Sequence, residues 1–512
     1  MSEVAMSHLK ELNLFPEDEF NTRLANNVHP SDYNNPEPKP IYDAVVIGGG
    51  TAGLVTAAGI AGLGGRVALI ERHMMGGDCL NVGCVPSKGV IRAARAAHAL
   101  KEAADFGITF EGEPKIDFEF AMERMRRLRS NISANDSVSR FSSLGVDVFI
   151  GSGEFISRDR ISVAGTELKF RKAVIASGAS PFVPPIEGID QVNVLTNETI
   201  FNLTELPKKL IVVGGGPIGM EIAQSFARLG SEVTVIEKGV QILGRSDRQA
   251  SEVLADQLRK EGLDLRLETS LTKFSTENGV SIAHIESESG KKEIETDAVL
   301  MSIGRKPNIT GMGLDKAGVK TDPHEGVLID DFFRSTNKNV FAAGDVASSY
   351  QFTHAADAMA RAVIVNAFYF GRARHSKLII PWSTYTSPEI AGVGLTLEEA
   401  EKQFDHVKQI EIPFTEVDRA ILDCETNGFM KVVYGKKGKI LGATIVSEHA
   451  GNMIGEVVMA MQHNITLGDI SAIVHPYPTQ GEALKKAGDA YKRTLLSPGT
   501  AGILKWIMRR GK

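Results

Sequence analysis

Two stretches of the chain share one order of apolar and polar positions. IYDAVVIGGGTAGLVTAAGIAGLGGRVALIE (41–71) runs apolar strand, glycine turn, helix, apolar strand, and KKLIVVGGGPIGMEIAQSFARLGSEVTVIE (208–237) repeats it. A short, continuous apolar run closed by glycine fits a fully buried parallel strand. The repetition predicts two dinucleotide-binding domains in one chain. From about Pro381 the pattern changes. WSTYTSPEIAGVG, QIEIPF, GFMKVVYG and KILGATIVS alternate like strands, and helices are expected near Gly455–Gln462 and Gly481–Tyr491. This reads as a separate α+β domain. Residues 1–40 are polar and broken by Pro30, Pro36, Pro38 and Pro40, which predicts a short helix near Ser7–Leu12 and then an extended arm. The expected class is α/β, with two doubly wound, Rossmann-like domains and a C-terminal α+β domain.

Composition narrows the class without naming a function. A chain of 512 residues is too long for one core. The apolar share of 43% and the charged share of 23% are ordinary for a globular protein. A net charge of −6 gives no sign of nucleic-acid binding. No apolar run has the length of a membrane span, and MSEVAMSHLKELNLFPEDEF lacks a signal-peptide core. A cytoplasmic location is therefore expected. Three cysteines make no structural disulfide framework, and two close together point to catalysis or metal binding.

Each repeat carries a complete glycine fingerprint. In Gly48-x-Gly50-x-x-Gly53 the first glycine makes the tight turn, the second admits a pyrophosphate, and the third lets helix and strand pack closely. The following helix N-terminus offers unpaired N–H groups to the phosphates. Glu71 lies 23 positions after Gly48, where a carboxylate can hold ribose hydroxyls. Gly214, Gly216, Gly219 and Glu237 repeat the spacing. A carboxylate at Glu237 repels a 2′-phosphate and favours NADH, while nearby Lys238 and Arg245 keep NADPH open.

GGDCLNVGCVPSK (76–88) places Cys79 and Cys84 five apart, with Lys88 just after. The next run reads as a helix, so Cys84 sits near a helix N-terminus and a lysine, both of which stabilise a thiolate. Two cysteines without further Cys or His partners cannot fill a zinc site, so no metal site is expected.

These residues carry a resemblance. GGDCLNVGCVPSK resembles the active-site segment of the pyridine nucleotide-disulfide oxidoreductases, which include dihydrolipoyl dehydrogenase, glutathione reductase and mercuric reductase. It extends from about Ile41 to Tyr491, with supporting motifs in the family's order. IASGASP (Ile175–Pro181, with Ser177 and Gly178) resembles the close of the first FAD portion. DAVLMSIGRKPN (Asp297–Asn308, with Gly304) resembles the close of the NAD domain. Thr336-x4-Phe341-Ala-Ala-Gly344-Asp345 resembles the second FAD motif, whose aspartate holds the ribityl chain. Beyond the arm at 1–40, the resemblance implies FAD-binding portions at 41–190 and 311–378, an NAD(P) domain at 191–310 and an interface domain at 379–512. It implies electron flow from NAD(P)H through FAD to a Cys79–Cys84 disulfide. Cys84 matches the flavin-proximal sulfur and Cys79 the interchange thiol. Lys88 and Glu221 match an ion pair beside the flavin. His354, after Thr353 at an expected helix start, is given no catalytic role.

One departure limits the substrate. Dihydrolipoyl dehydrogenase and glutathione reductase carry a His-Pro element whose histidine comes from the other subunit. Tyr477 stands at that position here, in HPYPTQGEALKKAGDAY. His475 lies two positions earlier, and residues two apart in an extended segment point the same way. A tyrosine hydroxyl, with a pKa of about 10, is a poor base at neutral pH. Glu482 matches the histidine-orienting glutamate and equally fits a capping box with Thr479. Tyrosine in this position resembles mercuric reductases, yet the chain ends GILKWIMRRGK, with no vicinal cysteine pair there, and Cys424 lies outside any motif. The expected acceptor is a metal ion, a small disulfide or another soft electrophile. Alternatives are a dihydrolipoyl dehydrogenase and a low-turnover redox sensor. A homodimer follows from the resemblance, because the Tyr477 segment must reach its partner's Cys79. The tail 502–512 mixes apolar and basic residues. Docking on its own chain or on a dimer partner is expected, with contact to anionic lipid as the minor alternative.

Overall fold

In a computed structural model, residues 3–109, 111–112 and 114–510 are described. The chain forms two compact units: residues 1–240 with 262–378, and residues 241–261 with 379–512.

The first unit holds both fingerprint repeats. Tyr42–Ile47 lies between Val67–Glu71 and Thr166–Ile175, all parallel, with Val146–Ile150 beyond Val67–Glu71 and Val340–Ala342 beside Thr166–Ile175. Register places Ile47 opposite both Ile70 and Ile175, so three strands end level at Gly48. That is where an open α/β sheet forms its ligand crevice. The second repeat does the same. Lys209–Val213 lies between Glu232–Ile236 and Ala298–Met301, and Val213 pairs with Ile236 and Met301. The strands are buried nearly throughout, as their continuous apolar runs require. A three-stranded antiparallel sheet spans residues 270–296.

The arm differs from its expectation. It contains two helices, Glu3–Glu11 and Glu19–Val28. The second starts because Asp18 caps it, accepting from Asn21 N at 2.7 Å. Leu9, Leu12, Leu14, Leu24, Ala25 and Val28 are buried in one core with Met74, Met75 and Leu80. The extended part follows from His29, with Tyr33 and Asn35 bonded to the strand Val146–Ile150.

The second unit is built on a five-stranded antiparallel sheet, ordered Trp382–Thr384, Glu389–Gly394, Ile440–Ser447, Phe429–Tyr434, Lys408–Pro413. Helices Ala450–Gln462 and Glu482–Thr494 bury Ile454, Val457, Leu484 and Ala487 in its core. The helix Arg248–Lys260 belongs to this unit, where Asp247 takes Lys431 Nζ at 2.9 Å. The final helix, Pro498–Arg510, leaves Ile503, Leu504, Trp506, Ile507 and Met508 exposed, so it does not dock on its own chain. Lys512 lies outside the described residues. Among the described residues no helix is long and apolar enough to cross a membrane.

Candidate active site

The two fingerprints share the same turn geometry and hydrogen-bond pattern. Gly48 has φ +107° and Gly214 φ +106°, and their N–H groups donate to Ile70 O at 2.8 Å and Ile236 O at 2.9 Å. A Cβ on Gly53 would meet Gly48 O at 1.7 Å, and one on Gly219 would meet Gly214 O at 2.3 Å. The middle glycines differ in kind. Gly50 and Gly216 have ordinary extended backbone, and the nearest atoms to an added Cβ are 3.7 Å and 4.0 Å away. No protein contact requires glycine there. The space these residues keep clear lies at a helix N-terminus, which is what a pyrophosphate needs. The carboxylates complete the match. Glu71 accepts from Gly49 N at 2.6 Å and His73 N at 2.7 Å; Glu237 accepts from Gly215 N at 2.5 Å and Gly239 N at 2.6 Å. Burial pushes the Glu71 carboxyl up, against the pull of the two N–H donors. Both cradles therefore fit a dinucleotide.

The motifs closing each domain lie together. Ser177 Oγ donates to Asn308 O at 2.7 Å, Asn308 N donates to Gly178 O at 3.0 Å, and Ala179–Pro181 pairs with Arg305–Pro307. Gly304 has φ +140° and its carbonyl accepts from Phe182 N at 3.0 Å. Arg305 bonds Asp78, next to Cys79, and lies 3.8 Å from Asp345. Burial raises the Asp345 carboxyl to about 6, despite Arg305. Gly344 has φ +82°, and a Cβ there would lie 3.3 Å from Ala52 Cβ and 3.6 Å from Ala356 Cβ.

The cysteines sit at a helix–helix corner. Cys79 is in the short helix Gly77–Asn81, and Cys84 is the first residue of the helix Cys84–Glu102. Both are free thiols, as in the reduced state of a redox pair. Thr353 begins the helix Thr353–Phe368, and its Oγ1 lies 3.4 Å from Cys84 Sγ. The hydrogen bond from Cys79 lowers the Cys84 thiol to about 6; burial opposes this, and Thr353 and Lys88 assist. Cys79 is raised, first by its bond to Cys84 and then by burial. The shared hydrogen bond, Thr353 and the Lys88 charge thus favour the thiolate on Cys84 over Cys79. Lys88 Nζ donates to Glu221 Oε2 at 2.8 Å, linking the redox helix to the helix Pro217–Leu229 of the second repeat. His354 stacks on Phe352. Among the described residues no group of three or more His, Cys, Asp or Glu side chains is placed to hold a metal ion.

In the second unit, His475 and Tyr477 part company. The His475 ring is buried against Glu456, with Nε2 at 2.9 Å from Oε1 and Nδ1 at 3.1 Å from Ile473 O. Tyr477 is 70% exposed, and its hydroxyl donates to Asp418 Oδ2 at 2.8 Å. The expectation that both point the same way fails, because Glu456 captures the histidine. Asp418 raises the Tyr477 hydroxyl further, which leaves it a donor at neutral pH. The expected capping box is also absent. Thr479 Oγ1 donates instead to Pro476 O at 2.9 Å, and Glu482 Oε2 is buried without a hydrogen-bond partner.

Sequence reasoning missed Thr353 as a contact of Cys84, and Arg305 as the link between Asp78 and Asp345. A hydroxyl or a guanidinium hundreds of positions from its partner leaves no local pattern.

Two cradles, a thiol pair between them and a separate antiparallel unit define a flavoprotein disulfide reductase architecture. The chain belongs to the pyridine nucleotide-disulphide oxidoreductase family, which matches residues 42–360, with its dimerisation domain at 380–488. It is 33% identical over 454 residues to mercuric reductase of Bacillus cereus, covering 88% of this chain and 72% of that protein. It is also 33% identical over 457 residues to dihydrolipoyl dehydrogenase of Thermus scotoductus, covering 88% and 97%. A Cu(II) complex of the HOCl-induced flavoprotein disulfide reductase RclA from Escherichia coli is structurally similar. Its TM-score is 0.79 at 29% identity, covering 88% of this chain and 100% of that one. The family takes FAD and a pyridine nucleotide.

Proposed function

We propose that the chain is an NAD(P)H-dependent, mercuric-reductase-like enzyme. It would pass electrons through FAD and the Cys79–Cys84 pair to a soft metal ion, a small disulfide or another soft electrophile. Bound in the first cradle, FAD would supply the two-electron link between nicotinamide and disulfide. The observation that carries the reading is the placement of the thiols: Cys84 opens the helix Cys84–Glu102 with its Sγ 3.4 Å from Thr353 Oγ1, and Cys79 lies in the short helix just before it. Cys84 would hold negative charge beside Thr353 and Lys88, and Cys79 would exchange with an acceptor on losing its proton. Two thiolates suit a soft cation, and binding one would release the remaining thiol proton.

The acceptor class rests on Tyr477. Oxidising a dithiol at neutral pH calls for a base. Tyr477 is a donor here, and His475 has both ring nitrogens engaged within its own unit. This disfavours the dihydrolipoyl dehydrogenase reading. Relatives named as mercuric reductases, and one solved as a Cu(II) complex, add support for a metal ion as substrate. NADH is the favoured donor, because Glu237 fills the ribose-recognition position with negative charge. A homodimer, supported by the family's dimerisation domain, would bring Tyr477 to the partner's thiols.

Steady-state turnover with NADH and Hg(II), Cu(II), glutathione disulfide or lipoamide tests this. Acceptor-dependent NADH oxidation should disappear in Cys79→Ser. Turnover that survives Cys79→Ser, or that needs only lipoamide, contradicts the proposal.

A further inference from the structure

The segment between the two cysteines hangs on a buried cation that no carboxylate neutralises by direct contact. Arg129, in the helix Phe118–Ile132, is 1% exposed. Its Nη1 donates to Asn81 O at 2.7 Å and its Nη2 to Asn21 Oδ1 at 2.7 Å, and its Nε has no partner. Asn81 ends the helix that carries Cys79, and its own Nδ2 holds Met75 O at 3.0 Å and Gly77 O at 2.9 Å. Asn21 belongs to the arm, before the region the family matches. It is fixed in turn by Pro16 O at 2.8 Å, and beside it Arg126 Nε bonds Asp18 Oδ2 at 2.6 Å. A second tie runs from Met75 N to Val28 O at 3.0 Å.

Burying an arginine on two neutral oxygens is expensive, and stability alone does not favour it over an apolar side chain. What the arrangement supplies is direction. The last carbonyl of a helix of one turn has no partner within the helix, so Arg129 decides where Asn81, and with it the Cys79–Cys84 span, is held. Asn21 decides where Arg129 is held.

We infer that Arg129, locked by Asn21, is a positioning residue that sets the geometry of the Cys79–Cys84 loop, so the N-terminal arm is part of the redox site. This rests on the function proposed above. The FAD-loaded, reduced protein is alkylated with iodoacetamide across pH, and turnover is compared between a thiol-dependent acceptor and ferricyanide. Asn21→Leu should move the alkylation midpoint of Cys84 upward. Thiol-dependent turnover should fall about tenfold or more, and NADH–ferricyanide turnover should stay within about twofold. Asn21→Asp, which keeps an acceptor for Arg129 but loses the donor to Pro16 O, should recover both in part. If Asn21→Leu does not take up FAD, Arg129→Lys makes the same test. Wild-type alkylation profile and thiol-dependent turnover in these variants, even with a lower Tm, would overturn the inference. Cys84→Ser separates the two claims: if thiol-dependent turnover survives it, the proposed function fails, while the alkylation profile still decides the role of Arg129.

Discussion

Lys88 Nζ and Glu221 Oε2 meet at 2.8 Å, 133 positions apart, and act on Cys84 with opposite signs. Lysine lowers the thiol and glutamate raises it. Lys88→Met should therefore shift the alkylation midpoint of Cys84 up from about 6, and Glu221→Gln should shift it down. Iodoacetamide rates across pH read both. Shifts of the same sign would show that the variants disturb the loop rather than the field. The sign for stability follows. The folded thiol is more acidic than an unfolded one at about 8.5. The reduced protein gains stability from Cys84 as pH rises between these values and loses it as pH falls through the lower one.

Glycines that only a ligand explains should behave differently from glycines that the fold explains. Gly50→Ala places a methyl at ordinary contact distance, 3.7 Å from Gly77 Cα, and should leave the protein folded but poor in FAD. Gly216→Ala should keep FAD and raise the KM for NADH. Gly53→Ala, aimed at Gly48 O, should reduce soluble yield. Flavin absorbance per protein, together with circular dichroism, distinguishes the three.

Glu237 accepts from two N–H groups at the position proposed to recognise the ribose. Glu237→Gln keeps an acceptor for Gly215 N and removes the charge. The ratio of kcat/KM for NADPH to that for NADH should rise about tenfold. An unchanged ratio would put cofactor choice elsewhere.

Tyr477 is a donor held by Asp418. Tyr477→His, which adds a base, should raise oxidation of dihydrolipoamide about tenfold or more, whereas Tyr477→Phe should not. Equal rates in both variants would detach residue 477 from proton transfer.

The cradles were legible because backbone geometry fixes their spelling: a glycine where a Cβ would hit a carbonyl, and a carboxylate at the end of the next strand. Lys88, Cys79 and Cys84 were legible through one short motif. The second arm helix left a readable signal in Asp18 followed by Leu24, Ala25 and Val28. The prolines after it obscured that signal. The separation of His475 from Tyr477 was not readable, because it depends on Glu456 arriving from another helix. The same holds for the Asn21–Arg129–Asn81 chain. Its members are polar residues of ordinary surface type, and only folding shows that they are buried together.

The most direct test is anaerobic titration of FAD-loaded protein with NADH, followed by visible absorbance. A long-wavelength charge-transfer band should appear after two electrons, fade as pH falls below about 6, and be absent in Cys84→Ser. FAD bleaching with no such band in the wild-type protein would mean that the thiols are not coupled to the flavin, and would contradict the account.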